Sequence, residues 1–327
     1  MAEYINIKGQ NIEVVASDPA NPTLGQIWYN STSNTLKGGG VTTAGSWATG
    51  NNMNTVKQEL GGAGTQTAGL AFGGYTIPPA TNTTATEEYD GNSWTNSNNM
   101  NTARRALAGA GIQTAALAFG GQAPAAVTGA TEEYDGNSWT SGNSLITARR
   151  QLASAGSQTS ALAFGGNVPP FTGATEEYDG NSWTSGNNLN TARSVLGGCG
   201  TQTAGLAFGG ETTVHTGATE EYDGISWTSN PTGLNTVRGY LAGAGTQTAA
   251  LAFGGEAPPA TTATEEYDGS TWTTSPGSLN TARYQLGGIG TQTSALAFGG
   301  SNGATTFGAT EEWTGAGAPT TKTITVS

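Results

Sequence analysis

The chain has 327 residues, a formal net charge of −12 and one cysteine. Nucleic-acid binding needs a basic surface that neutralises phosphates, so the acidic balance excludes a nucleic-acid partner. No run of roughly 18 apolar residues occurs, which argues against insertion into a membrane. The lone Cys199 excludes an internal disulfide and is expected to be a small buried filler.

Residues 1–43 differ from the rest of the chain and are expected to form an N-terminal β extension. Short apolar runs around Ile5 and Ile7 and at residues 12–15 predict strands, and residues 25–37 predict a hairpin. About forty residues are too few for an independent core, so we expect docking on a partner surface through Ile5, Ile7, Trp28 and Tyr29. The first residues lack the pattern of a secretory signal, so we expect synthesis in a cytoplasm.

A repeat of about 45 residues fills residues 44–314, and its period is typical of propeller blades. The phrase Leu-Ala-Phe-Gly-Gly occurs six times, Thr-Glu-Glu-Tyr five times and Thr-Glu-Glu-Trp once. In the second copy the pattern predicts strands at 106–111, 115–119, 130–134 and around Trp139, with a tight hairpin at Asp135-Gly136. Small residues in the first strand suit a crowded central axis. The sequence therefore predicts an all-β, six-bladed β-propeller.

The repeated residues resemble the kelch repeat. A diglycine follows an apolar strand, a tyrosine and a tryptophan follow it, and an arginine opens the next unit, over residues 44–313; Trp313 replaces the tyrosine in the last copy, and Lys57 replaces the arginine in the first. The separation of five residues from Tyr134 to Trp139 is shorter than is usual for kelch and predicts a shorter third hairpin. The resemblance implies a kelch-like propeller with interaction loops, which is rarely a catalyst.

The two ends of the repeat region are expected to complete one blade. The last copy lacks a final tryptophan strand, whereas Trp47 has no preceding strand in its own copy, so residues 44–50 are expected to form the outer strand of the last blade. The alternative is closure by a strand at residues 323–326. Residues 315–327 are otherwise expected to form a C-terminal tail or strand.

Charged residues recur at fixed places in the repeat, and two interpretations stay open. They form either a ring of binding or metal-binding charges or a structural clasp between a basic residue and a buried glutamate. The repeated aspartates, such as Asp135, are expected to form turns, with Ca²⁺ ligation as the alternative. The predicted clasp comprises Lys57, Arg104, Arg149, Arg193, Arg238 and Arg283 with Glu87, Glu132, Glu176, Glu220 and Glu265.

Sequence symmetry breaks in the six loops that follow the diglycines, here called the diglycine loops. They span residues 75–85, 122–130, 167–174, 211–218, 256–263 and 301–309. Function on a rigid scaffold is concentrated in its variable loops, so we expect ligand or partner contacts there, with loop drift as the alternative. The candidate contact residues are Tyr75, Ile77, Val127, Phe171, His215 and Phe307.

No catalytic, cofactor or metal site is expected. A galactose-oxidase-like copper site needs several histidines, and a Ser–His or Cys–His pair would need the single His215. A glycosidase pair of carboxylates stays open, but the acids repeat sixfold whereas a catalytic pair would break the symmetry. A propeller hydrolase is therefore the least favoured function.

The hairpin segment Gly-Gln-Ile-Trp-Tyr-Asn-Ser-Thr, continued by Leu36-Lys37, resembles segments of phage tail-fibre and other virion proteins. This resemblance implies a non-enzymatic virion protein in a multi-copy assembly, tail-associated or on the capsid, made in the bacterial host cytoplasm. Its expected partners are other virion proteins, bound by the extension, and a host-surface glycan. The alternative is a cellular kelch-type or lectin-like module that binds glycan or peptide through the diglycine loops.

Overall fold

The computed structural model describes residues 12–19, 26–41, 44–317 and 319–324. The described chain is all-β and contains no helix. It divides into two compact units, residues 46–313 and the two chain ends together. Ile5 and Ile7, two of the predicted docking residues, lie outside the described residues.

Thirty strands are described, numbered in chain order. The first ten are β1 (Glu13–Val15), β2 (Ile27–Asn30), β3 (Thr35–Val41), β4 (Ser46–Gly50), β5 (Gly61–Thr65), β6 (Ala68–Phe72), β7 (Tyr75–Thr76), β8 (Thr81–Asn82), β9 (Thr86–Tyr89) and β10 (Trp94–Ser97). The next ten are β11 (Ala108–Ile112), β12 (Ala115–Phe119), β13 (Thr131–Tyr134), β14 (Trp139–Gly142), β15 (Ala153–Ser157), β16 (Ser160–Phe164), β17 (Thr175–Tyr178), β18 (Trp183–Ser185), β19 (Gly197–Thr201) and β20 (Ala204–Phe208). The last ten are β21 (Thr219–Tyr222), β22 (Trp227–Asn230), β23 (Ala242–Thr246), β24 (Ala249–Phe253), β25 (Thr264–Tyr267), β26 (Trp272–Thr274), β27 (Gly287–Gly290), β28 (Ser294–Phe298), β29 (Thr310–Thr314) and β30 (Pro319–Thr323).

The repeat region forms a series of four-stranded antiparallel sheets, an arrangement consistent with a β-propeller. The sheet order is β5-β6-β9-β10, then β11 to β14, β15 to β18, β19 to β22 and β23 to β26 in sequence, and finally β27-β28-β29-β4. Strand β4 thus lies beside β29 although the two are far apart in sequence. The first strands of successive sheets contact one another, and β27 contacts β5.

Small residues let the first strands of neighbouring sheets approach closely. A Cβ atom at Gly109 would lie 2.5 Å from the carbonyl oxygen of Gly62 in the neighbouring first strand, closer than any real Cβ contact. A side chain at this position would therefore push two strands apart. The predicted role of glycine and alanine in these strands follows from this spacing.

Large rings fill the space between sheets farther out. Phe119 and Trp183, from the second and third sheets, have ring centroids 4.8 Å apart. The indole Nε1 of Trp183 also donates a hydrogen bond of 3.0 Å to Thr131 Oγ1 in the preceding sheet. The same tryptophan-to-threonine bond occurs at all six positions: Trp47–Thr264, Trp94–Thr310, Trp139–Thr86, Trp183–Thr131, Trp227–Thr175 and Trp272–Thr219.

The Asp-Gly turns form the tight hairpins that the sequence predicts. Asp135 Oδ1 accepts the backbone N–H groups of Asn137 and Ser138, and Gly136 has a φ of 90°, in the left-handed region that favours glycine. These backbone hydrogen bonds lower the pKa of the Asp135 carboxyl. The carboxylate is thus occupied by its own turn.

The unit formed by the chain ends is a separate four-stranded sheet with the order β1-β2-β3-β30. Strand β1 pairs in parallel with β2, and the C-terminal strand β30 pairs antiparallel with β3. Asp18 organises this sheet by accepting hydrogen bonds from Trp28 Nε1 at 3.0 Å and Asn30 Nδ2 at 2.7 Å. The two ends, which the sequence treats as separate segments, therefore share one sheet.

Candidate functional site

The repeated basic residue of each copy forms a buried ion pair with the first glutamate of the following Glu-Glu pair. Arg149 is fully buried, and its Nη1 donates to Glu176 Oε1 while its Nη2 donates to the carbonyl of Ala163 at 3.2 Å. The structure brings together every predicted clasp residue in this way. The pairs are Lys57–Glu87, Arg104–Glu132, Arg149–Glu176, Arg193–Glu220, Arg238–Glu265 and, in the last copy, Arg283–Glu311.

The same glutamate also binds the segment that links one sheet to the next. Glu132 accepts the backbone N–H groups of Asn101 at 2.7 Å and Thr102 at 3.3 Å, besides the Arg104 guanidinium. Burial lowers the pKa of Arg104 to about 10, with Glu132 acting in the opposite direction. The buried carboxylate thus has charged and neutral donors around it, as a desolvated anion requires.

The second glutamate of each pair bonds to the next sheet, a contact that the sequence did not predict. Tyr178 OH donates a hydrogen bond of 2.5 Å to Glu133 Oε1, and burial followed by this bond raises the pKa of the phenol. Trp313 replaces the tyrosine in the last copy, so Glu266 receives no such bond within the described residues. The bonds are Tyr89–Glu312, Tyr134–Glu88, Tyr178–Glu133, Tyr222–Glu177 and Tyr267–Glu221.

A glutamine in each inner turn also joins neighbouring sheets. Gln158 Nε2 donates to the carbonyls of Ala116 at 3.1 Å and Tyr134 at 2.7 Å, both in the preceding sheet. The sequence shows this residue as part of a repeated Gln-Thr turn, without indicating its partners. The glutamines with this double bond are Gln66, Gln113, Gln158, Gln202, Gln247 and Gln292.

A cycle of six backbone hydrogen bonds joins residues of all six copies, two positions after each clasp cation. Every member has a positive φ between 51° and 55° although none is glycine, so this conformation is held by its surroundings. The side chains differ from copy to copy and surround a small cavity of about 90 Å³. The N–H to carbonyl bonds run Glu59 to Gln285, Gln285 to Tyr240, Tyr240 to Val195, Val195 to Gln151, Gln151 to Ala106 and Ala106 to Glu59.

The diglycine loops begin beside this cycle. The first residue of each loop forms a β-bridge with the residue just after a clasp cation, as Gln122 does with Arg105 and Asn167 with Arg150. The loops and the variable residues around the cavity therefore belong to one face of the repeat unit. The diglycine loops on this face differ in length and sequence from copy to copy.

The predicted contact residues of the loops take two different roles. Val127, Phe171 and His215 are half-buried and bridge back to the first residue of their own loop, so they brace the loop. Ile77 is 46% exposed, and Tyr75 and Phe307 are half-buried. The structure does not gather these six side chains into one cluster.

Arg105 and Arg150, which were not singled out from the sequence, line one groove between the first two diglycine loops. The groove has a volume of about 440 Å³ and is also lined by Tyr75, Asn82 and Gln122. The Arg105 guanidinium lies 4.3 Å from the centroid of the Tyr75 ring. The signal in the sequence was the double arginine Arg104-Arg105 and Arg149-Arg150, which only these two copies have.

The other predicted residues are Trp28 and Tyr29 in the unit of the chain ends, and Cys199 in the repeat region. Trp28 is fully buried and Tyr29 is half-buried, with its hydroxyl donating to Asn34 Oδ1 at 3.3 Å. Cys199 is buried, and burial raises the pKa of its thiol to about 12. In the described ranges no three His, Cys, Asp or Glu side chains are grouped to hold a metal ion, and no helix is long and apolar enough to cross a membrane.

Comparison with known proteins finds no protein-family model that matches the chain and no curated protein that is similar to it.

Proposed function

We propose that the six sheets are the blades of one six-bladed kelch-like propeller. Support comes from bonds that link each sheet to the next and the last to the first: Trp94 to Thr310, Tyr89 to Glu312 and Gln66 to the Trp313 carbonyl. The cycle of backbone bonds passes through all six copies. Strand β4 supplies the outer strand of the last blade, which leaves that blade with the same four strands as the others.

We further propose that the protein is a non-enzymatic structural component of a bacteriophage particle, with the propeller displayed on the tail or capsid and a role in adhesion to the host surface. The observation that carries this proposal is the use of the repeated charges. The first glutamates bind buried cations, and all but one of the second glutamates accept a tyrosine hydroxyl. Carboxylates held in this way stabilise a scaffold and are not placed as an acid–base pair.

The sheet of the chain ends is the proposed attachment unit. Strand β1 lies at its edge, and Val14 on this strand is 66% exposed. An edge strand with an exposed apolar residue is a ready site for pairing with another chain. This agrees with the resemblance of the β2–β3 hairpin to segments of virion proteins.

Attachment is tested by locating the chain on particles purified from cells that carry the gene, with a gold-labelled antibody and electron microscopy. We expect label on the particle, at the tail or on the capsid. We expect Val14→Asp to reduce incorporation at least tenfold while the protein stays soluble, because a charge on the edge strand opposes burial against a partner. The matched control is Ile225→Asp, since Ile225 is 71% exposed in an Asp-Gly turn.

Two results would contradict the proposal. Protein found wholly in the soluble fraction would favour the second candidate, a free kelch-type or lectin-like module that binds glycan or peptide. The groove with Arg105 and Arg150 is the observation that favours such a module. Equal incorporation of both aspartate variants would place the attachment surface elsewhere on the chain.

A further inference from the structure

The distribution of positive charge singles out one groove in the repeat unit. The chain has seven arginines, and five of them are buried in the ion pairs with the repeated glutamates. The other two, Arg105 and Arg150, come from neighbouring copies and line the same groove. In a chain with a net charge of −12, this is a local cationic site.

The two guanidinium groups are held in place by the groove itself. Arg105 lies over the Tyr75 ring, and its Nε is 3.4 Å from Glu59 Oε2. Arg150 Nη1 donates to Gln122 Oε1 at 3.0 Å, while its Nε is buried without a hydrogen-bond partner among the described residues. Planar, oriented guanidinium groups with unused donors match the two oxygens of a carboxylate.

The rest of the lining combines apolar surface with polar groups, and this combination suits a sugar ring. The Tyr75 ring, Ala123 and Pro124 offer apolar surface, and Asn82 and Gln122 offer amide groups to hydroxyls. Asn82 Nδ2 also donates to the Gln122 carbonyl at 2.8 Å, which ties the first loop to the second. A volume of about 440 Å³ accommodates one or two sugar rings.

We propose that this groove binds a carboxylate-bearing sugar unit of a surface glycan, with Arg105 and Arg150 as the carboxylate-binding residues. The inference rests on the proposed role in adhesion to the host surface and names its ligand class. Glu59 is the internal competitor, because its carboxylate already faces Arg105 and also accepts a bond of 2.7 Å from Gln285 Nε2. Removing either arginine should therefore weaken binding of the sugar carboxylate, whereas removing the Glu59 charge should strengthen it.

The experiment measures binding to the full-length purified protein by calorimetry and saturation-transfer NMR. The probes are glucuronic acid and N-acetylneuraminic acid, with glucose as the neutral control and a Glu-Glu-Glu tripeptide as the acidic peptide control. We expect both acidic sugars to bind more tightly than glucose and the tripeptide, and the stronger of the two identifies the source of the carboxylate. Affinity should fall as NaCl is raised.

Variants separate a binding role from a structural one. Arg105→Gln and Arg150→Gln should each weaken binding about tenfold or more. Arg150→Lys should recover only part of this loss, because an ammonium group lacks the paired N–H donors that a guanidinium offers to a carboxylate. Glu59→Gln should strengthen binding several-fold. Lys37→Gln, which removes one positive charge in the other unit, should have no effect, and thermal melting should show that every variant is folded.

Equal binding of glucose, preference for the tripeptide, or no binding of either acidic sugar at millimolar concentration would overturn the inference. So would weaker binding by the folded Glu59→Gln variant. None of these results depends on particle incorporation, so the failure of this inference is distinguishable from failure of the proposed virion role.

Discussion

Neighbouring glutamates in the third strand of each sheet point to opposite faces and therefore meet different partners. In the second copy, Glu132 faces the buried Arg104 and Glu133 receives the hydroxyl of Tyr178 from the next sheet. Glu132 thus stabilises the interior of its own sheet, and Glu133 stabilises the junction with the next sheet. A substitution at one position should not reproduce the effect of the other.

The substitutions Lys57→Arg and Arg104→Lys test how much the additional hydrogen bonds of an arginine contribute to the clasp. Lys57 has one ammonium that donates to the Ala85 carbonyl, whereas Arg104 also reaches the carbonyls of Gly120 and Ala118. We expect Arg104→Lys to lower the free energy of unfolding by about 1–2 kcal/mol and Lys57→Arg to raise it by about 0.5–1 kcal/mol. Urea unfolding followed by tryptophan fluorescence measures both.

Replacing the clasp cation by alanine gives the upper limit of its contribution to the free energy of unfolding. Arg149→Ala leaves Glu176 buried without its cation, so we expect a loss of about 3–5 kcal/mol. A loss below about 0.5 kcal/mol, typical of an exposed ion pair, would show that the clasp does not stabilise the fold.

At the scale of elements, the outer strand of the last sheet is supplied from the beginning of the repeat region. Trp47 on β4 is 8% exposed, and its ring centroid lies 4.9 Å from that of Phe253 and 5.4 Å from that of Trp313. These contacts match those of Trp183 with Phe119 inside the series. Strand β4 should therefore be as important as any outer strand.

Trp47→Ala and Trp183→Ala make this comparison directly. Each removes a buried ring and a bond to threonine, so we expect both to lower the free energy of unfolding by about 3–5 kcal/mol. Thr140→Ala, an exposed outer-strand position, is the control. A Trp47→Ala effect close to that of Thr140→Ala would mean that β4 contributes nothing to the last sheet.

Local patterns predicted the elements better than the bonds between them. Asp135-Gly136 indicates its own turn, and Trp139 and Tyr134 mark strands, because these signals lie within a few residues. The Tyr178–Glu133 bond joins residues 45 apart in the sequence, and its geometry depends on how two sheets pack. The pairing of β3 with β30 was also missed, since β30 is short and mostly threonine and has no apolar alternation.

The candidate groove shows the same limit. Tyr75 was predicted as a contact residue because it departs from the repeat, whereas Arg105 was overlooked beside Arg104, at a position that is arginine in only two of the six copies. Arg105 and Arg150 are separated by one repeat and meet only because neighbouring sheets place their loops side by side. A single sequence does not reveal which variable positions become neighbours.

At the scale of the whole molecule, the buried tyrosines should make the protein sensitive to alkali. Burial and the facing glutamate raise the pKa of Tyr134 to about 12, and Tyr89, Tyr178, Tyr222 and Tyr267 shift in the same direction. In the unfolded chain these phenols ionise near pH 10, so the folded state binds more protons above that pH. The stability that these five tyrosines contribute is then fully present below about pH 10 and is lost as pH rises toward 12.

Urea unfolding at several pH values between 8 and 12, with phenolate absorbance at 295 nm, measures this dependence. Lys57 and the clasp arginines act in the opposite sense, because burial lowers the pKa of Lys57 to about 8 and that of Arg104 to about 10, so the tyrosine contribution is isolated by comparing a tyrosine variant with the unsubstituted protein. Tyr178→Phe should reduce the slope above pH 10 more than Tyr284→Phe does, because burial raises the pKa of both phenols but only Tyr178 also donates to a glutamate. A slope above pH 10 that is the same in Tyr178→Phe as in the unsubstituted protein would contradict the role of its bond to Glu133.

The place of β4 has a consequence for synthesis on the ribosome. Residues 46–50 emerge first among the repeats, and the strand they pair with, residues 310–314, emerges last. At translation rates of about 5–20 residues per second this interval is on the order of tens of seconds, during which Trp47 has no sheet to join. Because six third strands carry nearly the same Thr-Glu-Glu sequence, a neighbouring nascent chain on the same messenger offers β4 an equivalent edge. Crowded polysomes should therefore yield strand-exchanged dimers, and slower initiation should yield more monomer.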